Sequence, residues 1–505
     1  MKRIIALLLL LCLCLPLVAC GGGGETGNKP GGQQDAYQFQ DSVGDHNFEG
    51  EEFVVSMLPA YEWELYKEEK EPNAFNKATE DRNRLLQNRF NMKIVTDMVE
   101  GQNANDHASK VRIAMQDGNP DMLDIILIQR WLVGPVVMTG MLCDLRSEVP
   151  YVKDSIGKTD WWSAKINDCY TVFGRQYVGV SDLNITALAN TWAILYNRTL
   201  DKTYAGEVHK KIGSQYNSLY DVVDDGAWTL DNMNLIVKDF WKDNPATGKT
   251  READVDDIYG LTSAGIWGRE LFGDAFGYDL VVNDGENVPT LMNFTSGMAT
   301  AIENLRQLFT TTGYNNFTSS DWGKNFADGK ALLYMTSINS LNSETIHETD
   351  EEFGVLPFPK ATATQKEYYA GTQDAMSTVI VPLNLNERVE RTGVILEAMA
   401  AESNQTCMPA YYEVVLKYNA TRDPDSVRML DLINHGRRYN LAGIHSTSSD
   451  ALTSGGQSLA YIFRYMLQGA GTTHPADVWS SYRDGFESGL ENLIGEYEEL
   501  AAMVS

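Results

Sequence analysis

The spacing of apolar positions changes period along this chain, and the changes mark where strands and helices fall. The run Phe53-Val54-Val55-Ser56-Met57-Leu58, closed by Pro59, is short and apolar, which suits a buried strand feeding a loop. A helix is predicted from about Asn73 through Phe90, then a short strand at Met92-Lys93-Ile94-Val95 and a second helix near Asp106 to Gln116. After Gly118-Asn119-Pro120-Asp121, the run Ile125-Ile126-Leu127-Ile128 reads as a strand buried on both faces. Strands alternating with helices predict a parallel sheet under helices.

The pattern then repeats with other residues. Thr229 is placed to cap a helix that carries Met233, Ile236, Val237 and Phe240 on one face, and Ser296 to Phe309 does the same with Met298, Ile302, Leu305 and Phe309. Such stripes are core faces. Tyr259 to Thr262, Ala331 to Met335 and Met376 to Val381 read as strands, the last stopped by Pro382. Asn386 then caps a helix running to about Ala401, and the chain from about Asp425 to Met503 reads mainly helical.

The first residues follow a different logic. Met1-Lys2-Arg3 is basic, Ile4 to Leu15 is apolar, and Pro16 precedes Leu17-Val18-Ala19-Cys20. That order is a signal peptide, residues 1–19, with a lipobox that places a lipid on Cys20. The run is too brief for a spanning helix, which needs roughly 20 apolar residues. Residues 20–46, rich in Gly and Gln, form a flexible tether with a reach of about 25 to 30 Å. The expected location is the cell membrane, lipid-anchored on its extracytoplasmic face.

Loss of Lys2 and Arg3 leaves 39 bases against 69 acids, a net charge of −30. A surface of that sign repels phosphate backbones, so nucleic acid is excluded as a partner. Only Cys143, Cys169 and Cys407 remain beyond Cys20, too few for a disulfide scaffold. About 450 folded residues exceed what one core supports, so two domains are expected.

Reactive spacings are missing. No Gly-x-Ser-x-Gly or His-Glu-x-x-His occurs, and Gly248-Lys249-Thr250 lacks the earlier glycine of a phosphate loop. His347-Glu348 reads as a solvated loop and Asp254-Val255-Asp256-Asp257 as a solvated turn, so no metal or cofactor is expected. Paired carboxylates for glycoside cleavage are a tertiary matter that spacing does not reveal. Aromatics say more. Trp63, Trp131 and Trp267 each follow a predicted strand, where open sheets place ligand loops, and a flat indole suits the C–H face of a sugar ring.

Seven segments in order carry a resemblance: Asn119-Pro120-Asp121, Gly140 to Leu145, Ile194 to Arg198, Trp228-Thr229-Leu230, Tyr259-Gly260-Leu261, Phe326 to Ala331 and Phe353 to Pro359. The chain resembles the family 1 extracellular solute-binding proteins, the lipoprotein receptors of carbohydrate ABC transporters, and is maltose-binding-protein-like. The resemblance implies an α/β, two-lobed periplasmic-binding-protein-like fold of type II, each lobe a mostly parallel sheet flanked by helices, joined by a hinge of crossover segments. Lobe 1 would comprise 47–181 plus 376–420 and lobe 2 would comprise 182–375 plus 421–505. Crossings would fall near Val180-Ser181-Asp182, just after Tyr369-Ala370-Gly371 and near Asn419-Ala420-Thr421. The implied ligand residues are Tyr61, Glu62, Trp63, Gln129, Arg130, Trp131, Asp182, Trp267, Ser337, Asn339 and Asp374. Thr336 to Asn342 carries no tryptophan, so stacking is expected from Tyr334, Tyr411 or Tyr412, with Tyr411 taken into the ligand set. The implied partners are a small-molecule solute, a carbohydrate in the first instance, and the permease subunits of an ABC transporter, with the receptor itself a monomer. Three functions are weighed: an oligosaccharide receptor without catalysis, the same receptor for a peptide, polyamine or other polar solute, and a lipid-anchored glycan-processing enzyme. The first is the expectation.

Overall fold

A computed structural model describes residues 37–66, 68–69, 72–99, 104–116, 123–243, 256–286, 288–315, 323–383, 388–417, 424–447, 452–468 and 473–503. Cys20, the segment Gly248 to Thr250, Asp254, Val255, Asn386 and the crossing expected at Asn419 to Thr421 lie outside these residues.

The first apolar runs become a sheet. Strand β1 (Glu52–Met57) pairs in parallel with β2 (Lys93–Met98) on one side and β3 (Ile125–Gln129) on the other. Helix α1 (Ala74–Phe90) joins β1 to β2 and starts at a reciprocal cap: the Asn76 N–H donates to Asn73 Oδ1 at 2.9 Å and the Asn73 N–H donates to Asn76 Oδ1 at 3.1 Å. Asn91, at φ 46°, ends it in the left-handed region. Helix α2 (Ala104–Gln116) leads toward β3. In β3, Ile125 and Leu127 enter one core while Ile126 and Ile128 enter another, which explains why the run is apolar without alternation.

The chain then leaves this sheet and builds a second from β4 (Trp192–Asn197), β5 (Ile258–Ser263), β6 (Ala331–Ser337) and β7 (Phe353–Leu356). The order is β7-β4-β6-β5, with short strands Trp241–Lys242 and Tyr314–Asn315 sharing the outer edge of β5. This second sheet is mixed in direction. β5, β6, β7 and Tyr314–Asn315 share one direction, but β4 is reversed in their midst, as is Trp241–Lys242 at the edge. The reason is local: β4 starts straight from the incoming crossing, with Trp192 opposite Ser337 at the end of β6, so it runs away from the end toward which β5 and β6 point. Helices α3 (Leu230–Val237) and α4 (Ser296–Leu308) begin at the side-chain caps Thr229 and Thr295. Met233, Ile236, Val237 and Phe240 are all buried, as are Ile302 and Leu305, while Met298 and Phe309 are half-buried.

The chain returns as β8 (Ser377–Ile380), antiparallel to β3, completing the first sheet as β8-β3-β1-β2. Outgoing and returning segments run side by side, bridged at Gly179 with Val379 and at Thr191 with Thr372. Helix α5 (Val389–Glu402) is buried from Arg391 to Glu402, and Gly393 lets the Pro150 backbone approach so closely that a Cβ would lie 2.2 Å from the Pro150 carbonyl oxygen. A π-helical turn, Ser403–Cys407, leads to α6 (Met408–Lys417), and α7 (Pro424–His435) then packs beside β7. The helical reading of the C-terminal region holds for α7, α8 (Ile462–Gln468) and α9 (Pro475–Met503), but Arg437–Arg438 instead pairs in parallel with Ala370–Gly371. Among the described residues no helix is long and apolar enough to cross a membrane.

Candidate ligand cleft

The loops after β1, β3, β5 and β6 leave strand ends that face the junction of the two sheets, the usual place for a ligand in open α/β architecture. After β1 the chain makes two tight turns, Pro59–Tyr61 and Glu62–Leu65. These carry Trp63, half-buried, onto Tyr411 of α6 at 6.1 Å between ring centroids and a 30° tilt. Phe75 of α1 sets its edge against both rings at 5.5 Å. Asn339, Asn342 and His347, from the segment after β6, line the same cavity of about 520 Å³, with Asn73 and Asn76 of the α1 cap. The cap engages the Oδ1 of both asparagines. Asn342 Nδ2 reaches Tyr411 Oη at 3.5 Å, while its Oδ1 has no partner. One wall is therefore aromatic, and the polar lining is four amides with the Glu69 carboxylate and His347, which suits a solute with apolar faces and hydroxyl edges.

Glu64, next to Trp63, is fully buried and joins this wall to both crossings. Its Oε1 accepts from Thr186 N–H at 2.8 Å, Thr186 Oγ1 at 2.6 Å and Ser377 Oγ at 2.8 Å, while Oε2 has no partner. Burial pushes the carboxyl up to about 7, against the hydrogen bonds from Thr186 and Ser377 and the charge of Arg82. Buried Arg82 donates to the Glu64 and Leu65 carbonyls at 3.1 Å and to Ser403 Oγ at 2.9 Å. No spacing in the sequence marks Glu64 or Arg82 for this role.

The other end of the cleft is more charged. Trp131 Nε1 donates to Gln129 Oε1 at 3.0 Å, and buried Arg130 donates to the Thr372 carbonyl at 2.9 Å. Arg130, Asp274, Asp374 and Tyr461 surround a small cavity of about 30 Å³, where the Tyr461 hydroxyl bonds to Asp374. Burial raises Asp274 to about 7 despite Arg130 and Arg438 nearby. Trp267, 44 % exposed, lies under the guanidinium of Arg464 at 4.8 Å, and Arg464 grips Glu270 by two bonds of 2.5 and 3.0 Å. Tyr461, Arg464, Glu270, Asn342 and His347 were not legible as site residues. Tyr461 and Arg464 lay in a stretch whose only sequence signal was helical.

Other expected residues fall elsewhere. Tyr61 is buried and donates to the Ala375 carbonyl at 2.7 Å, a brace, and Glu62 is half-buried at the start of its turn. Ser337 ends β6 opposite Trp192. Tyr334 is a core residue packed against Phe326 at 5.9 Å, which corrects its place among the stacking candidates. Asp182 and Tyr412 line a different cavity, across α6 from Trp63. His347 ends a short helix, Glu344–His347, and lines the cleft cavity, where a solvated loop was expected. Asp257, expected in a solvated turn, is buried and accepts from Trp241 Nε1 at 2.9 Å.

Two α/β sheets joined by paired crossings, with an aromatic and amide-lined cleft at their facing strand ends, define a two-lobed solute-binding protein of the periplasmic-binding-protein type. The chain belongs to the family described as bacterial extracellular solute-binding protein, whose model matches residues 74–414. Among solved structures it is similar to UgpB from Mycobacterium tuberculosis in complex with glycerophosphocholine, at 16% identity and a TM-score of 0.52 over 87% of this chain and 99% of that one. It is also similar to the galacto-N-biose-/lacto-N-biose I-binding protein of the ABC transporter from Bifidobacterium longum, at 11% identity and a TM-score of 0.52 over 89% and 98% of the chains. Apo RafE from Streptococcus pneumoniae matches with a TM-score of 0.52 at 14% identity over 86% and 98%. At these identities the likeness is one of fold. No curated protein sequence matches this chain.

Proposed function

We propose that this chain is a lipid-anchored receptor that captures a carbohydrate, an oligosaccharide in the first instance, in the cleft between its lobes and delivers it to an ABC importer without transforming it. The observation that carries the reading is the Trp63–Tyr411–Phe75 platform facing amides of Asn73, Asn76, Asn339 and Asn342 across about 520 Å³. Stacked rings present a flat apolar face to sugar C–H groups, and amides both donate to and accept from hydroxyls. The paired crossings near Gly179 and Thr191 offer a hinge, and Glu64 ties the Trp63 turn to both of them, so occupancy of the cleft is transmitted to the relative setting of the lobes. A lipid on Cys20 would keep the receptor beside its importer.

A glycan panel scored by melting temperature tests the reading: an oligosaccharide is expected to raise it, and Trp63→Ala to weaken binding of that glycan about tenfold or more. If no glycan shifts melting, the solute is not a carbohydrate. Cys20→Ser is expected to move the protein from the membrane fraction into the medium, and retention on membranes after a salt wash would exclude the anchor.

A further inference from the structure

A second large cavity lies outside the cleft. It holds about 610 Å³ and lies across α6 from the Trp63 platform, so that Tyr411 serves one cavity and Tyr412 the other. Its walls come from the segment after Ile156, the outgoing crossing at Asp182, Asn404 and α6, and the end of α7 through Arg437.

Two opposite charges face this space without meeting. Arg437 is only 8 % exposed, and its one side-chain bond among the described residues runs from Nε to the Asn434 carbonyl at 3.2 Å. Asp182 accepts from Asn404 Nδ2 at 2.7 Å through Oδ2, the one hydrogen bond its side chain makes among the described residues. Arg437 is near enough to draw the Asp182 carboxyl down against the effect of burial, which nonetheless holds it at about 6. Yet the two form no ion pair with each other or with any other described residue. Tyr412 Oη, on the α6 wall, is likewise buried without a partner. The remaining cations are engaged: Lys165 with Glu367 at 3.4 Å and the His435 carbonyl at 3.2 Å, Lys158 with the Lys153 carbonyl at 3.4 Å. Asp160 adds a second carboxylate at the Asp182 end. A buried guanidinium and a half-buried carboxylate that fail to pair carry a desolvation penalty that a bridging ligand would relieve. A neutral ligand relieves neither, and a simple anion or cation relieves one.

We propose that this hinge-side cavity is a second ligand site, which takes a small zwitterion with its ammonium group at Asp182 and its carboxylate at Arg437. An amino acid or short peptide has that chemistry. The site is separate from the cleft, and its occupant shares the α6 wall with whatever the cleft holds.

Calorimetry on the full chain with glycine, glycylglycine and triglycine tests this, beside two blocked probes, N-acetylglycylglycine without the ammonium and glycylglycinamide without the carboxylate. At least one of the three zwitterions is expected to bind, and the blocked probes about tenfold more weakly or not at all. Asp182→Asn and Arg437→Gln are each expected to weaken the zwitterion by about tenfold or more, while Trp63→Ala leaves its affinity unchanged. Circular dichroism melting of each variant separates loss of binding from loss of fold, and Tyr412→Phe, which removes one oxygen, gives a milder loss if a variant unfolds. Absence of binding for all three zwitterions at millimolar concentration overturns the site. So does binding indifferent to Asp182→Asn, or binding lost in Trp63→Ala, which would put the peptide in the cleft. Glycan binding reads out on Trp63 alone, so the two proposals fail separately.

Discussion

Three donors converge on one oxygen of Glu64, and the other oxygen meets none. Removing the side chain leaves the Thr186 N–H without an acceptor and takes one from the Thr186 and Ser377 hydroxyls, which then have only each other, so Glu64→Ala is expected to destabilise the protein by on the order of 3 kcal/mol. Glu64→Gln keeps an acceptor in the same place and is expected to lose much less. Urea unfolding of both variants checks this, and equal losses would show that the hydrogen bonds are not what matters. Nothing in the local sequence sets Glu64 apart from Glu62, two residues before it and only half-buried. Trp63 was legible because position after a strand is a property of the chain. The burial of Glu64 depends on Thr186 and Ser377, more than a hundred residues away.

Helix α5 shows the same contrast at the level of an element. Its apolar pattern was readable, but its contacts were not. Glu397 accepts from Ser155 Oγ at 2.6 Å and from the indole N–H groups of Trp161 and Trp162 at 2.9 Å, and forms no ion pair among the described residues. Burial pushes its carboxyl up, opposed by those three donors. Glu397→Ala is expected to cost on the order of 3 kcal/mol, because three buried donors lose their acceptor together. Gly393→Ala, ordinarily favourable in a helix, is expected here to destabilise by about 2 kcal/mol, since the added methyl meets the Pro150 carbonyl. Thermal melts of both variants test this, and a Gly393→Ala protein as stable as the parent would show that the Pro150 turn can move aside. Strands β4 and β7 were missed by periodicity for a related reason. β4 is buried at every position and so carries no alternation to read.

For the whole molecule, several carboxyls share an unusual direction. Burial holds Glu64 and Asp274 at about 7 and Asp182 at about 6, above their ordinary range near 4. In each case the native state keeps its proton to a higher pH than the unfolded chain does. Between the unfolded and folded values the native state therefore binds more protons, and stability falls as pH rises. The contribution is full below about pH 4 and is lost by about pH 7 to 8. The melting temperature is expected to decline from about pH 5 to pH 8, with a shallower decline in the double variant Glu64→Gln, Asp274→Asn. A parent and double variant with the same pH profile would show that these groups do not govern it.

The sequence by itself marked most of the elements in order and placed Trp63, Trp131 and Trp267 after strands, because periodicity, caps and apolar runs are local, while the class of fold followed from the resemblance that seven segments carry. Tertiary structure decided that β4 runs against its neighbours, that Tyr334 belongs to the core, that Tyr461 and Arg464 reach the cleft, and that Asp182 opens on another cavity than Trp63. Each of these depends on the chain crossing between sheets, so the residues that meet are far apart in sequence and no local pattern encodes their meeting.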